Sequence, residues 1–184
     1  MGGTFDPIHR GHLRILDAVA GKFDRILVIP SGHPWLRTSE PVASGGARLE
    51  MCSRALDDLS EELQEKVALT DIEIRRSGPT YTVDTINQLR AFFPKDSFTL
   101  ILGSDAASQI DKWHKSKELK SLVNFLVVRR PGESKSTYPE IEIDALDISA
   151  TEVRDYLRSG KDVTPFISDS VLTYIKEAGL YGSK

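Results

Sequence analysis

Two histidines lie three positions apart beside a glycine-rich turn in the first twelve residues, MGGTFDPIHRGH. Asp6 and Pro7 favour a helix start, because Asp caps helices and Pro suits the first helical position. His9 and His12 then share one face at the N-terminus of that helix. Gly11 between them leaves the backbone open to a ligand. Backbone N–H groups and two imidazoles in one place favour the binding of a phosphate chain.

Two other interpretations of this segment stay open. An isolated H-x-G-H pattern is most often a glycine turn before an ordinary helix that carries two surface histidines. A zinc site is the second alternative, since histidine is a common zinc ligand. Asp6 is the only further ligand close by in sequence, and no cysteine is near. We therefore expect no metal site in the protein itself.

A second anion site is predicted near the other end of the chain, at ISATEVR (Ile148–Arg154). Ser149 and Glu152 fit the capping box S-x-x-E, which marks a helix start. A helix N-terminus attracts negative charge, and Arg154 adds a permanent cation with a forked donor group. A capping box by itself indicates only a helix start. Two anion sites of this type in one chain are a more specific signal than either alone.

Apolar runs typical of buried strands alternate with helical patterns along the chain. Strands are predicted at Arg25–Pro30, Val67–Ile74, Phe98–Gly103, Phe125–Gly132 and Ile141–Leu146. Helices are predicted around Leu13–Val19 with a stop at Gly21, and at Ala47–Leu59, Thr82–Phe93, Lys115–Leu122, Thr151–Gly160 and Ser168–Gly179. This order predicts a single α/β domain over 1–184. Its core is a Rossmann-like doubly wound parallel sheet with helices on both faces and ligands at the carboxyl ends of the strands.

The sequence has too few residues before the glycine turn to form a full first strand of that sheet. A glycine turn that carries a nucleotide normally follows the central first strand, yet only Met1 precedes Gly2. We therefore expect a truncated first strand, and we hypothesise that the sequence begins late, at an internal Met that follows a short apolar segment. The alternative is a nucleotide-binding protein without turnover.

Composition limits the partners of the chain. The 184 residues carry a net charge of −3, which argues against bulk binding to nucleic acid. The sequence has no apolar run of about 18 residues and no secretory signal, so we expect neither a membrane partner nor export. Cys52 is the only cysteine, so no internal disulfide forms, and we expect a cytoplasmic protein. The sequence does not determine an oligomeric state.

Several stretches resemble a known family of enzymes. GGTFDPIHRGH resembles the phosphate-binding loop of the nucleotidyltransferase superfamily, and ISATEVR resembles its I-S-x-T-x-x-R motif. The segments Gly78–Leu89, Leu102–Trp113, Val171–Tyr181, Pro30–Arg37 and Arg48–Met51 resemble the nicotinate-nucleotide adenylyltransferases in particular. The resemblance runs from Gly2 to Tyr181. It implies adenylyl transfer from ATP to nicotinic acid mononucleotide, which yields nicotinic acid adenine dinucleotide and pyrophosphate in NAD biosynthesis.

The resemblance also implies roles for individual residues on the ATP side. His9 and His12 would contact the ATP phosphates, with His12 nearest the developing charge, and Arg154 would hold the outer phosphates; these three are the candidate catalytic residues. The other candidate ATP-binding residues are Gly2, Gly3, Thr4, Phe5, Gly103, Asp105, Ser149 and Thr151. Asp105 would accept ribose hydroxyls, although a helix N-cap is an equally good interpretation. Mg²⁺ would be carried by ATP and pyrophosphate.

For the mononucleotide, the resemblance implies a stacking role for Trp113 on the pyridine ring. Thr82 and the backbone around Tyr81 would receive the nicotinate carboxylate, and Arg37 replaces the basic residue of a family element in the loop Ser31–Gly46. A half-buried core tryptophan and a capped helix start are the alternatives. A sister enzyme that uses nicotinamide mononucleotide or phosphopantetheine also remains possible at this stage.

Overall fold

The computed structural model describes residues 1–34, 40–132, 135–144 and 148–183. Within these ranges strands and helices alternate as predicted. The strands are β1 (Gly2–Gly3), β2 (Ile26–Pro30), β3 (His33–Pro34), β4 (Val67–Leu69), β5 (Pro79–Thr80), β6 (Thr99–Gly103), β7 (Asn124–Arg129) and β8 (Glu140–Glu142). The helices are α1 (Arg10–Ala20), α2 (Gly45–Asp57), α3 (Glu61–Lys66), α4 (Thr82–Phe92), α5 (Ser104–Ser108), α6 (Ser116–Leu122), α7 (Ala150–Ser159) and α8 (Asp169–Glu177).

Every described strand pair is parallel. One group of three strands has the order β1-β2-β4, a second has the order β6-β7-β8, and β3 pairs with β5. Within the first group, Gly2 lies opposite Ile29 and Gly3 opposite Pro30. β1 also packs beside β6. Gly2 and Gly3 therefore lie where the two larger groups meet, at the start of residues 2–12, which are predicted to bind phosphate and are called the phosphate loop below.

The first strand is as short as the sequence indicates. β1 has two residues, and a cleft of about 870 Å³ opens beyond its start between β2 and β6. Leu27 of β2 and Ile101 of β6 line this cleft. The Met1 amino group donates a hydrogen bond to the Leu27 carbonyl oxygen at 2.7 Å. The expectation of a truncated first strand is confirmed, whereas the late start of the sequence stays a prediction.

Apolar side chains cover both faces of the sheet. Val28 of β2 and Ile101 of β6 pack in one cluster, which includes Leu16 and Val19 of α1. Residues of α2, α7 and α8 complete that cluster. Leu100 and Leu102 of β6 pack in a second cluster, together with apolar side chains of α4 and α6. Each fully buried aliphatic side chain contributes about 1.5–3 kcal/mol, so the two clusters fix helices on both faces, as the doubly wound fold requires.

One predicted strand is too long, and the structure adds a helix, α3, that the sequence analysis did not predict. The strand predicted at Val67–Ile74 ends at Leu69, and the chain then turns so that the Arg75 N–H donates to the Asp71 carbonyl oxygen. α3 was not predicted because none of its residues is buried, and a helix without an apolar face leaves no periodic pattern. The longest described helix, α2, has 13 residues. No helix in the described ranges is both long and apolar enough to cross a membrane.

Candidate active site

A cavity of about 350 Å³ lies at the carboxyl ends of β1, β6 and β7, between the starts of α1 and α7. It gathers nearly all of the residues predicted to bind ATP. Those that line it are Gly2, Gly3, Thr4, Phe5, His9, His12, Gly103, Asp105, Ser149 and Arg154. Thr151 does not line the cavity; its hydroxyl oxygen accepts a hydrogen bond from Arg154 Nη2 at 3.0 Å.

The phosphate loop departs from the predicted helix start. α1 begins at Arg10 with His9 as its N-cap, so Asp6 and Pro7 do not open the helix. The Asp6 carboxylate instead accepts hydrogen bonds from the N–H groups of Val42, at 2.8 Å, and Ala43, at 3.1 Å. The prediction that Asp6 caps α1 is wrong, because this carboxylate binds the loop before α2.

The position of the Phe5 ring requires a glycine at residue 3. The Phe5 backbone adopts a positive φ of 52°, which turns the chain sharply, and its side chain is 2% exposed. A Cβ atom on Gly3 would lie 2.8 Å from the Phe5 ring, closer than any side chain tolerates. The ring also packs edge-on against His12, with centroids 5.0 Å apart. Phe5 therefore positions His12 from the core side.

His9 and His12 lie face to face at the start of α1. Their ring centroids are 3.7 Å apart at an interplanar angle of 31°. The His9 backbone N–H donates to His12 Nδ1 at 3.2 Å. Since Nδ1 of His12 is an acceptor, the neutral ring carries its proton on Nε2. His9 Nδ1 is buried and has no hydrogen-bond partner among the described residues. Polar ring atoms of this pair are thus available to a ligand in the cavity.

Both imidazoles are neutral at pH 7 in the free protein. Burial and the positive charge of Arg130 lower the pKa of His9 to about 4. Burial, then the charges of His9 and Arg130, hold the pKa of His12 well below its ordinary value. Permanent positive charge in the cavity comes from Arg130 and Arg154, which both line it. An incoming polyphosphate therefore meets fixed cations and neutral imidazole N–H donors.

The capping box predicted at the second anion site forms at the start of α7. Ser149 Oγ accepts from the Glu152 N–H at 3.2 Å, and the Glu152 carboxylate accepts from the Ser149 N–H at 2.8 Å. The capping box is thus confirmed. Arg154 Nη1 reaches across to donate to the Asp6 carbonyl oxygen at 2.7 Å. The start of α7 and the phosphate loop form one continuous wall of the cavity.

The residues predicted to bind the adenosine part of ATP follow β6. Gly103 ends the strand and is itself the N-cap of α5. Asp105 lies in the first turn of α5, is exposed, and lines the cavity. The alternative interpretation of Asp105 as the N-cap is wrong, because Gly103 holds that position. The carboxylate is placed for contact with a ligand.

The residues predicted to bind the mononucleotide lie apart from this cavity. Tyr81 is the N-cap of α4 and Thr82 its first residue. The Tyr81 ring stacks on His114, with centroids 4.1 Å apart at 28°, and this places Trp113 in the same neighbourhood. Tyr81 and Trp113 are half-buried against the second apolar cluster. Arg37 lies outside the described residues.

Comparison with known proteins identifies the family. Residues 1–156 match the cytidylyltransferase-like family. A protein of Streptomyces coelicolor named "Probable nicotinate-nucleotide adenylyltransferase" is 38% identical over 98% of this chain and 98% of its own length. One of the same name from Saccharopolyspora erythraea is 37% identical over 98% of this chain and 87% of its own length.

The chain belongs to the nicotinate-nucleotide adenylyltransferase family. Its fold is also that of a solved nicotinic acid mononucleotide adenylyltransferase from Plasmodium falciparum, crystallised with NaAD. The TM-score between the two structures is 0.86 and their sequences are 24% identical. The match covers 100% of this chain and 96% of the Plasmodium chain. The family and fold expected from the sequence motifs are therefore confirmed.

Two residues of these regions of the adenylyltransferase, one lining the cavity and one stacked on Tyr81, escaped the sequence analysis. Arg130 follows β7 directly, and a cation after the end of a buried parallel strand is the signal that could have found it. His114 follows Trp113, and its stacking on Tyr81 is visible only once α4 and the turn after α5 come together. The described residues contain no cluster of three or more His, Cys, Asp or Glu side chains able to hold a metal.

Proposed function

We infer that this protein transfers the adenylyl group of ATP to nicotinic acid mononucleotide, releasing pyrophosphate and forming nicotinic acid adenine dinucleotide. The observation that carries this conclusion is the cavity in which the two motifs from opposite ends of the chain meet. The family of the chain gives the acceptor. An oxygen of the mononucleotide phosphate attacks the α-phosphorus of ATP. The bond between that phosphorus and the oxygen bridging it to the β-phosphate breaks, and pyrophosphate leaves.

We propose that catalysis is mainly positioning and charge stabilisation. The attacking phosphate is already an anion, so the reaction needs no strong general base. His12 donates its Nε2 proton in a hydrogen bond to the α-phosphate as charge develops there. Arg130 and Arg154 hold the β- and γ-phosphates, which leave as pyrophosphate. The arrangement supports these roles because all three side chains line one cavity.

We propose Asp105 as the residue that binds the ribose of ATP, with Gly103 close to the adenosine. Thr151 acts less directly, since its hydroxyl holds Arg154 Nη2. Trp113 stacks on the pyridine ring, while the backbone of Tyr81 and Thr82 at the start of α4 receives the nicotinate carboxylate.

We propose that Mg²⁺ enters with ATP and leaves with pyrophosphate. The carboxylates near the phosphate loop support this proposal, because two of them are already engaged. Asp6 binds backbone N–H groups and Glu152 closes the α7 capping box. A hard cation that keeps several waters and binds phosphate oxygens suits such a site.

Pyrophosphate release tests the proposed reaction. Purified protein is given ATP and Mg²⁺ with nicotinic acid mononucleotide, nicotinamide mononucleotide or phosphopantetheine, and ATP binding is measured in parallel by calorimetry. We expect turnover with the nicotinic acid substrate. If the protein binds ATP but releases no pyrophosphate from it with any of the three acceptors, it is a nucleotide-binding protein without turnover.

A further inference from the structure

A buried polar cluster packs against the phosphate loop, and two of its three side chains lie outside the lining of the cavity. It consists of Asp6, Arg48 and Tyr181, which we call the loop anchor. Their exposed fractions are 2%, 2% and 5%. Charged side chains are rarely buried to this degree unless their hydrogen bonds are satisfied. Neither Arg48 nor Tyr181 lines the cavity, so the mechanism proposed above does not use them.

Asp6 is the centre of the loop anchor. Its Oδ1 accepts from the Tyr181 hydroxyl at 2.7 Å and from the Ala43 N–H at 3.1 Å. The backbone oxygen of the same residue accepts from Arg154 Nη1 at 2.7 Å. Asp6 therefore connects Tyr181, near the end of the described chain, to an arginine that lines the cavity.

Arg48 fixes the same loop from α2. Its guanidinium donates to the carbonyl oxygens of Thr4, at 2.8 Å, and of Gly32 and Ala43, at 3.3 Å each. These three acceptors belong to the phosphate loop and to the two ends of the loop between β2 and α2. Held by Asp6 on one side and Arg48 on the other, the phosphate loop has little freedom to shift.

Tyr181 occupies its position at a conformational cost. Its φ of 59° and ψ of 17° lie in the left-handed region, which a tyrosine rarely adopts. Such conformations persist where the surrounding structure over-determines them, and they are concentrated at functional sites. Burial and the bond to Asp6 raise the pKa of the Tyr181 hydroxyl far above its usual value. The hydroxyl therefore stays protonated and remains a donor.

We propose that Tyr181 is a positioning residue for adenylyl transfer. Its hydroxyl fixes Asp6, and Asp6 fixes the guanidinium of Arg154 against the cavity. Tyr181 touches no substrate and acts only through these two residues. The proposal rests on the adenylyl transfer proposed above.

The first test compares Tyr181→Phe with Tyr174→Phe. Tyr174 lies on α8 with its ring centroid 4.9 Å from the guanidinium carbon of Arg54, and it does not line the cavity. Melting temperatures come first, so that kinetics are measured where both variants are folded. We expect Tyr181→Phe to lower kcat about tenfold, the scale of one hydrogen bond to a charged group, and to raise the Kd for ATP about threefold. Tyr174→Phe should change neither constant by more than about twofold.

A double-mutant cycle separates positioning from general stability. If Tyr181 acts through Arg154, then Tyr181→Phe added to Arg154→Lys lowers kcat by less than about twofold further, because the losses are not additive for coupled residues. A full tenfold further loss would contradict the proposal. If Tyr181→Phe keeps the wild-type kcat and Kd and only its melting temperature falls, the role of Tyr181 is purely structural and the proposal is wrong.

Two further measurements keep the test decisive. If Tyr181→Phe melts below the assay temperature, Asp6→Asn replaces it, and wild-type constants in that variant would overturn the proposal. The Kd for ATP is read without turnover. An inactive wild-type protein would thus refute the proposed reaction, while the effect of Tyr181→Phe on ATP binding would still decide whether the anchor positions the site.

Discussion

The cavity proposed to bind ATP and the region proposed to bind the mononucleotide are built in opposite ways. The cavity depends on polar bonds between distant parts of the chain, such as the bond from Arg154 to Asp6, which spans 148 positions. The mononucleotide region depends on aromatic contact, with Tyr81 stacked on His114. Fixed donors suit a charge that develops during reaction, whereas a flat ring suits recognition of a pyridine. Changes in the first region should alter kcat, and changes in the second should alter KM.

The sharpest test of this division is His12→Ala. We expect kcat to fall about 10²–10³-fold, the scale of losing one transition-state donor. Folding should change little, because the ring is only half-buried and faces the cavity. Single-turnover kinetics and a thermal melt measure the two effects. A near-normal kcat would show that the imidazole is merely part of the surface of α1.

Trp113→Ala examines the other region. We expect the KM for the mononucleotide to rise about tenfold to a hundredfold, because aromatic stacking on a base contributes about 1–3 kcal/mol. The KM for ATP should hardly change, and Trp113→Phe should restore most of the affinity. Steady-state kinetics with each substrate varied in turn gives both constants. An equal loss for ATP, or an unfolded variant, would place Trp113 in the core instead.

The choice of acceptor sharpens the comparison further. We expect nicotinic acid mononucleotide to exceed nicotinamide mononucleotide by at least about tenfold in kcat/KM, or about 1.4 kcal/mol. The physical reason is the predicted capture of a carboxylate by the N-terminus of α4, a site that favours an anion over a neutral amide. Competition between the two acceptors measures this ratio. A preference for the amide would refute the assigned specificity but not the type of reaction.

The last prediction concerns the free energy of unfolding of the protein at low pH, where the cavity histidines lower it. His9 has a pKa of about 4 in the folded protein against 6.5 in the unfolded chain. Below pH 6.5 the unfolded chain therefore binds protons that the folded protein excludes, and stability falls as pH decreases toward 4. Between pH 7.5 and 5 the titration of His9 lowers the free energy of unfolding by about 2 kcal/mol. The pKa of His12 is also lowered, so its contribution has the same sign. Urea unfolding at the two pH values measures it.

His9→Gln is the control for that experiment, since glutamine keeps a polar group without titrating. Its unfolding free energy should depend less on pH than that of the wild type. An unchanged slope would mean that another group causes the pH dependence.

The sequence predicts local features of the fold and site well. The stop of α1 at Gly21 and the capping box of Ser149 and Glu152 are short-range patterns with direct physical causes, and both are confirmed. The prediction failed where a side chain binds a distant part of the chain. Asp6 has the local features of a helix cap, yet its carboxylate binds Val42 and Ala43, 36 and 37 positions away.

The same reason explains the missed residues. Arg130 has no motif around it, and it enters the site only because β7 lies next to β6 in the sheet. His114 reaches Tyr81 through the packing of α4 against α6 and the turn before it. Neighbouring residues in sequence carry little trace of such contacts, and for Arg130 the local signal is its position directly after a buried parallel strand. Functional side chains supplied by sheet order are thus the part of a site that a single sequence conceals.

The hydrogen bond between Tyr181 and Asp6 has a consequence for synthesis of the protein. The two residues are 175 positions apart, and a ribosome adding about 5–20 residues per second needs roughly 9–35 s to travel from one to the other. Throughout that time the phosphate loop lacks its bond from Tyr181, and over the first 148 positions it also lacks Arg154. ATP therefore gains its complete site only after translation has passed Tyr181, and a nascent chain halted earlier would bind nucleotide weakly.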